Sequence, residues 1–159
     1  VGHAADEIAR DWLPSVQAAA EISQLRLRYR VRSLEYMQPG SGAEKEKIER
    51  SLGELDGMLG EAFGKYGRQI VDAAERKVFD EAVKAAADYR AAVQAAIALA
   101  REGRMDEAQE LRKTTWVKEA NRLRDQTDAL QKINRTGAES ASAKAAAEVD
   151  AAVRGGIIA

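Results

Sequence analysis

The run Leu25-Arg26-Leu27-Arg28-Tyr29-Arg30-Val31-Arg32 alternates apolar residues with arginine. A guanidinium is the side chain best shaped for bidentate binding of a carboxylate or phosphate, so the chemistry on offer is anion binding. Strict alternation reads as a half-buried strand, and the same arginines would also suit a polyanion. A helix distributes them differently. At about 100° per residue, Arg26 and Arg30 share one face, and Arg28 and Arg32 share another roughly 200° away. The apolar repeat Leu13, Val16, Ala20, Leu27, Leu34, Met37 then puts Arg30 on the core stripe and Arg26 at its edge. Three environments are open to Arg30. Its head snorkels to solvent, it pairs with a carboxylate such as Glu49 or Glu54, or it lines a pocket that wants an anion.

Counting residues from the turns brings further groups to the same level. With Met37 set opposite Met105, Arg30 falls near Arg112, Arg28 near Thr114 and Arg26 near Trp116. The candidate ligand-binding set is Arg26, Tyr29, Arg30, Tyr89, Arg90, Gln94, Arg112, Thr114, Thr115 and Trp116. Guanidinium, hydroxyl, amide and aromatic groups together suit a small organic anion. Tyr89 and Trp116 also read as plain core residues, and Thr114 and Thr115 as exposed ones. No nucleophile–base pair or carboxylate dyad accompanies the set, so no enzymatic activity is expected. The chain has no cysteine and a single histidine, His3, which excludes thiol chemistry and a di-iron bundle. No cofactor or metal is expected, and no glycine-rich phosphate loop or nucleophile elbow is present.

These residues need helices to hold them. The chain of 159 residues is rich in Ala, Glu, Lys and Arg, with two prolines and few aromatics, a helix-forming composition. Its net charge of −1 gives no field for nucleic acid. Turn chemistry at Gln38-Pro39-Gly40-Ser41-Gly42, Tyr66-Gly67 to Val71 and Glu102-Gly103-Arg104-Met105-Asp106 divides it into four. Ser41-Gly42-Ala43-Glu44 reads as a capping box, and Asp72-Ala73-Ala74-Glu75 is a similar start signal. The predicted helices run roughly 4–37, 42–66, 72–102 and 105–154 within a domain spanning 1–154. Sustained 3-4 apolar spacing predicts an all-α, up-down-up-down antiparallel four-helix bundle with long first and fourth helices. Pro14 marks a kink or a restart near Leu13. Gly53, Gly57, Gly60 and Gly64 predict close helix approach, and the alanine-rich core predicts a homodimer. Residues 155–159 are read as the start of a truncated transmembrane segment, or else as an ordinary frayed end. The sequon Asn134-Arg135-Thr136 falls inside a predicted helix and is read as chance.

Trp12-Leu13-Pro14-Ser15-Val16 opening a long helix, then Tyr29-Arg30, Tyr89, Ala100 to Ala108 across the third turn, Leu123 to Leu130, Asn134 and Gly137-Ala138 carry a resemblance. Together they resemble the extracytoplasmic four-helix-bundle sensor domain of bacterial methyl-accepting chemotaxis receptors. The resemblance implies a periplasmic domain of an inner-membrane protein that binds a small ligand and passes a helix shift or a dimer change across the membrane. In the aspartate-binding branch, arginines of the first helix and residues early in the fourth hold ligand at the dimer interface. By position, Arg26 or Arg30 and Thr114 or Thr115 would take those roles. Other branches bind organic or aromatic acids inside one protomer. The arginine spacing departs from the aspartate-binding pattern, and Arg26, Arg30, Arg90 and Arg112 could neutralise several charges. The expected ligand is therefore a di- or tricarboxylate, with aromatic acids as the other class. A structural adaptor bundle, or the same sensor on a histidine kinase, are the competing readings.

Overall fold

The computed structural model describes residues 12–156. It holds α1 (Leu13–Tyr36), α2 (Gly42–Gly67), α3 (Ala73–Arg101), α4 (Met105–Leu111), a π-helical segment (Arg112–Trp116) and α5 (Val117–Arg154). The last three form one continuous fourth rod, so the bundle has four antiparallel rods, and no strand occurs among the described residues. The predicted residues 4–11 and the final 157–159 lie outside the described residues, as does His3. Pro14 sits in the first turn of the described α1, where its missing N–H costs nothing.

The start signals behave as chemistry requires. Ser41 Oγ accepts the Glu44 amide at 3.2 Å, and the Asp72 carboxylate accepts the Glu75 amide at 2.9 Å. Gly103, at φ 77°, closes α3 into the third turn in a conformation that favours glycine.

The core follows the 3-4 apolar spacing on three rods. Leu52, Leu55, Leu59, Ala62 and Tyr66 are buried on α2, and Ala82, Ala85, Tyr89, Ala92 and Ala96 on α3. The fourth rod buries Trp116, Ala120, Leu123, Thr127, Leu130, Asn134 and Ala141. The first rod departs from expectation. Its buried face is Ser15, Ala18, Ala19, Ile22, Leu25, Tyr29, Ser33 and Tyr36. Leu13, Leu27, Val31 and Leu34 are exposed, Leu27 by 52 %. Helix α1 is apolar on two faces, and the bundle takes the one carrying two tyrosines, which bury the larger area.

Packing among the rods is uneven. Helix α1 lies along α2 and α5, and α3 lies along α5, whereas α2 and α3 meet only briefly. A cleft therefore opens between α2 and α3. Gly60 borders it, and Gly53 borders the hollow that adjoins it. A Cβ built on Gly53, Gly57 or Gly60 would meet nothing within 4 Å. The expectation of close approach is corrected accordingly: these glycines leave space.

Candidate functional site

The cleft encloses a cavity of about 200 Å³. Tyr29 and Tyr89 close its inner side, packed edge to face with centroids 5.5 Å apart. Leu59, Gly60 and Phe63 of α2 face Val83, Ala86 and Ala87 of α3, and Leu123 of α5 also contributes. Three charged groups complete the lining. Arg26 comes from α1, and Asp56 and Arg90 stand on opposite helices, joined by a 2.8 Å ion pair.

Arg26 is the least compensated of the three. Its Nε donates to Thr127 Oγ1 at 3.0 Å, a neutral partner, and its Nη2 lies 3.8 Å from the exposed Asp128 carboxylate. Its side chain is only 13 % exposed. Burial lowers its pKa, with Asp128 opposing and the neighbouring Arg30 and Arg124 adding to the depression. A half-buried cation in this setting gains from an added anion. Arg90, by contrast, is raised above its usual value, chiefly by the hydrogen bond to Asp56. Burial pushes the Tyr29 and Tyr89 hydroxyls above the usual phenol range, and Tyr89 shares a 2.9 Å hydrogen bond with Ser33.

The ten expected residues divide. Arg26, Tyr29, Tyr89 and Arg90 line the cleft. Gln94 lines an adjoining hollow farther along it, with Tyr29, Gly53 and Asp56. Trp116 is core, packed against Tyr89 at 6.2 Å. Arg112 donates to Gln109 at 2.7 Å and lines an open hollow beneath the first turn. Thr114 and Thr115 are exposed, and the Thr114 hydroxyl donates back to the Glu110 carbonyl at 2.9 Å. Arg30 lies off the core stripe, half-buried, and its Nη2 donates to Asn121 Oδ1 at 3.1 Å. Its partner is thus an amide of α5, neither Glu49 nor Glu54.

The level count is corrected by the same contacts. Arg30 meets Asn121 where the count gave Arg112, and Arg26 meets Thr127 where it gave Trp116. Met37 aligns with Gln109, whose amide reaches its carbonyl at 3.1 Å, because the fourth rod begins about a turn beyond the first turn. The π segment then spends extra residues on its wider turn. Arginine side chains also lean toward their own helix N-terminus, which here points toward higher numbers on α5.

Asp56, Leu59 and Phe63 were absent from the expected ligand-binding set. The signal was available: the glycine row lies on the same helix. It was read as contact when it marks a gap.

A second polar cluster ties three elements together. Tyr66 Oη donates to Glu75 Oε2 at 2.5 Å and accepts from Asn134 Nδ2 at 2.5 Å. Both Glu75 and Asn134 are buried, and Asn134 Oδ1 has no partner among the described residues. Asn134 Nδ2 also donates to the Leu130 carbonyl, so the sequon asparagine is committed to the core. Glu75 therefore turns inward to Tyr66 instead of completing a capping box.

Among the described residues no group of His, Asp and Glu could hold a metal, and no helix is long and apolar enough to cross a membrane. A family model described as a four helix bundle sensory module for signal transduction matches residues 2–149. No curated protein matches the chain.

Proposed function

Since the chain belongs to the family of four-helix-bundle sensory modules of methyl-accepting chemotaxis proteins, we propose that it is the extracytoplasmic ligand-sensing domain of a membrane-anchored receptor and binds a small organic acid in the α2–α3 cleft. The observation that carries the reading is Arg26, a half-buried guanidinium facing an apolar cavity with a hydroxyl as its nearest partner. An acid seated there would form the charge-assisted bond that Thr127 cannot supply.

Signalling in this reading is a biased equilibrium. Arg26 joins α1 to α5 through Thr127, and Leu123 of α5 also borders the cavity. A ligand that recruits Arg26 changes the grip of α1 on the helix that ends the domain. It shifts the equilibrium only by its differential affinity for the two states. The outer α1 stripe of Leu13, Leu27, Val31 and Leu34 supports a homodimer, since an apolar row on a monomer's surface marks an interaction face.

The test is a thermal-shift screen of organic acids on wild type and Gly60→Leu. Gly60 borders the cavity and has open space at its Cβ, so leucine fills the cleft without a backbone clash. An acid at 100 times its dissociation constant stabilises wild type by about 2.7 kcal/mol and leaves the variant unmoved. A screen in which no acid raises the wild-type melting temperature removes the proposal.

A further inference from the structure

Building on that reading of the cleft, we propose that it selects acids with one carboxylate on a flat apolar body, and that Asp56 is the residue that rejects a second carboxylate.

The expectation of a di- or tricarboxylate rested on counting four arginines at one level. Only two of them border the cavity. Arg112 lies in the hollow beneath the first turn, and Arg30 is bonded to Asn121 outside the cleft lining. Of the two that remain, Arg90 is already neutralised by Asp56. Arg26, with the Thr127 hydroxyl at 3.0 Å and the exposed Asp128 carboxylate at 3.8 Å, is the less compensated guanidinium of the lining.

The rest of the lining sets the body of the ligand. Leucine, phenylalanine, valine and alanine side chains face each other across the gap, over an edge-to-face tyrosine pair. An apolar cavity of about 150 Å³ accepts benzene, so about 200 Å³ accommodates one six-membered ring with a carboxylate. A second carboxylate on the far side of the ring would meet either apolar wall or the Asp56–Arg90 pair. At the pair it would add a like charge beside Asp56 or strip Arg90 from it. Asp56 also borders the adjoining hollow with Gln94, so a longer diacid would pass the same group. Like charges brought together at this half-exposed pair disfavour binding.

The experiment uses matched ring acids and isothermal titration. Benzoate, terephthalate and benzamide are titrated into wild type, Asp56→Asn, Arg26→Gln and Gly60→Leu. Wild type binds benzoate at least tenfold more tightly than terephthalate, and benzamide more weakly than both. In Asp56→Asn the terephthalate-to-benzoate ratio of dissociation constants falls at least tenfold. Arg26→Gln weakens benzoate about 10- to 100-fold, the usual effect of losing a charge-assisted bond. Terephthalate binding wild type as tightly as benzoate overturns the selectivity, as does an unchanged ratio in Asp56→Asn. Those outcomes leave the cleft itself standing provided binding is lost in Gly60→Leu. Acid binding that persists in Gly60→Leu, or no acid binding at all, overturns the cleft reading together with the inference.

Discussion

Tyr66→Phe removes one oxygen atom and leaves two buried polar groups without it. The hydroxyl donates to the buried Glu75 carboxylate and accepts from the buried Asn134 amide, each at 2.5 Å. A hydrogen bond to a charged group contributes about 1.5–3 kcal/mol, and a buried group left unsatisfied adds a similar cost. Phenylalanine fills the same volume, so no cavity term enters. The expected loss is about 2–4 kcal/mol, or roughly 5–15 °C in melting temperature for a chain of this size.

The alkaline limb gives an independent signature. Burial, then the hydrogen bond to Glu75, raise the Tyr66 pKa above 10. Above pH 10 the unfolded chain releases this proton while the folded chain keeps it, so stability falls as pH rises. One such tyrosine removes about 1.4 kcal/mol by pH 11, and the phenylalanine variant lacks that loss. Urea denaturation followed by circular dichroism at pH 7, 9 and 11 reads both effects. The two proteins differ by about 2–4 kcal/mol at pH 7, and the gap narrows by about 1.4 kcal/mol between pH 9 and 11. A melting temperature within 2 °C of wild type, with parallel pH profiles, would refute the reasoning.

Gly53→Ala and Gly57→Ala each raise stability by about 0.5–1 kcal/mol, since helix propensity improves and no neighbour lies within 4 Å of the new Cβ; a thermal melt showing destabilisation would restore the close-approach reading. Leu27→Glu leaves the monomer's melting temperature nearly unchanged, because the side chain is exposed, yet lowers dimer content in sedimentation at concentrations where wild type associates. Gly137→Ala places a Cβ against the Trp12 ring, so the indole must move away, and its fluorescence shifts to the red; an unshifted spectrum contradicts that packing.

The fold was legible because helix signals are local. Caps at Ser41 and Asp72, glycine at the third turn and the 3-4 spacing of α2, α3 and α5 depend only on near neighbours in the chain. Helix α1 was not, because periodicity alone cannot rank two apolar faces. The stripe from Leu13 to Leu34 and the one from Ala18 to Tyr36 have the same period, and tertiary packing chooses between them. That choice moved Arg30 off the core. The candidate site was half legible for a related reason. Residue types on α1 and α3 pointed to Arg26, Tyr29, Tyr89 and Arg90, but their level against the fourth rod depended on where that rod begins and on its π segment. Neither has a strong sequence signal. The α2 wall was missed because a glycine row is ambiguous between contact and gap.

In the function proposed for it, the α2–α3 cleft receives a small organic acid. Its most direct measurement is the titration of benzoate into wild type and Gly60→Leu side by side. Wild type binds benzoate measurably, and the variant, melting no lower, binds it at least tenfold more weakly. Equal affinity for the two proteins, or no binding of benzoate or any other organic acid to wild type, contradicts it.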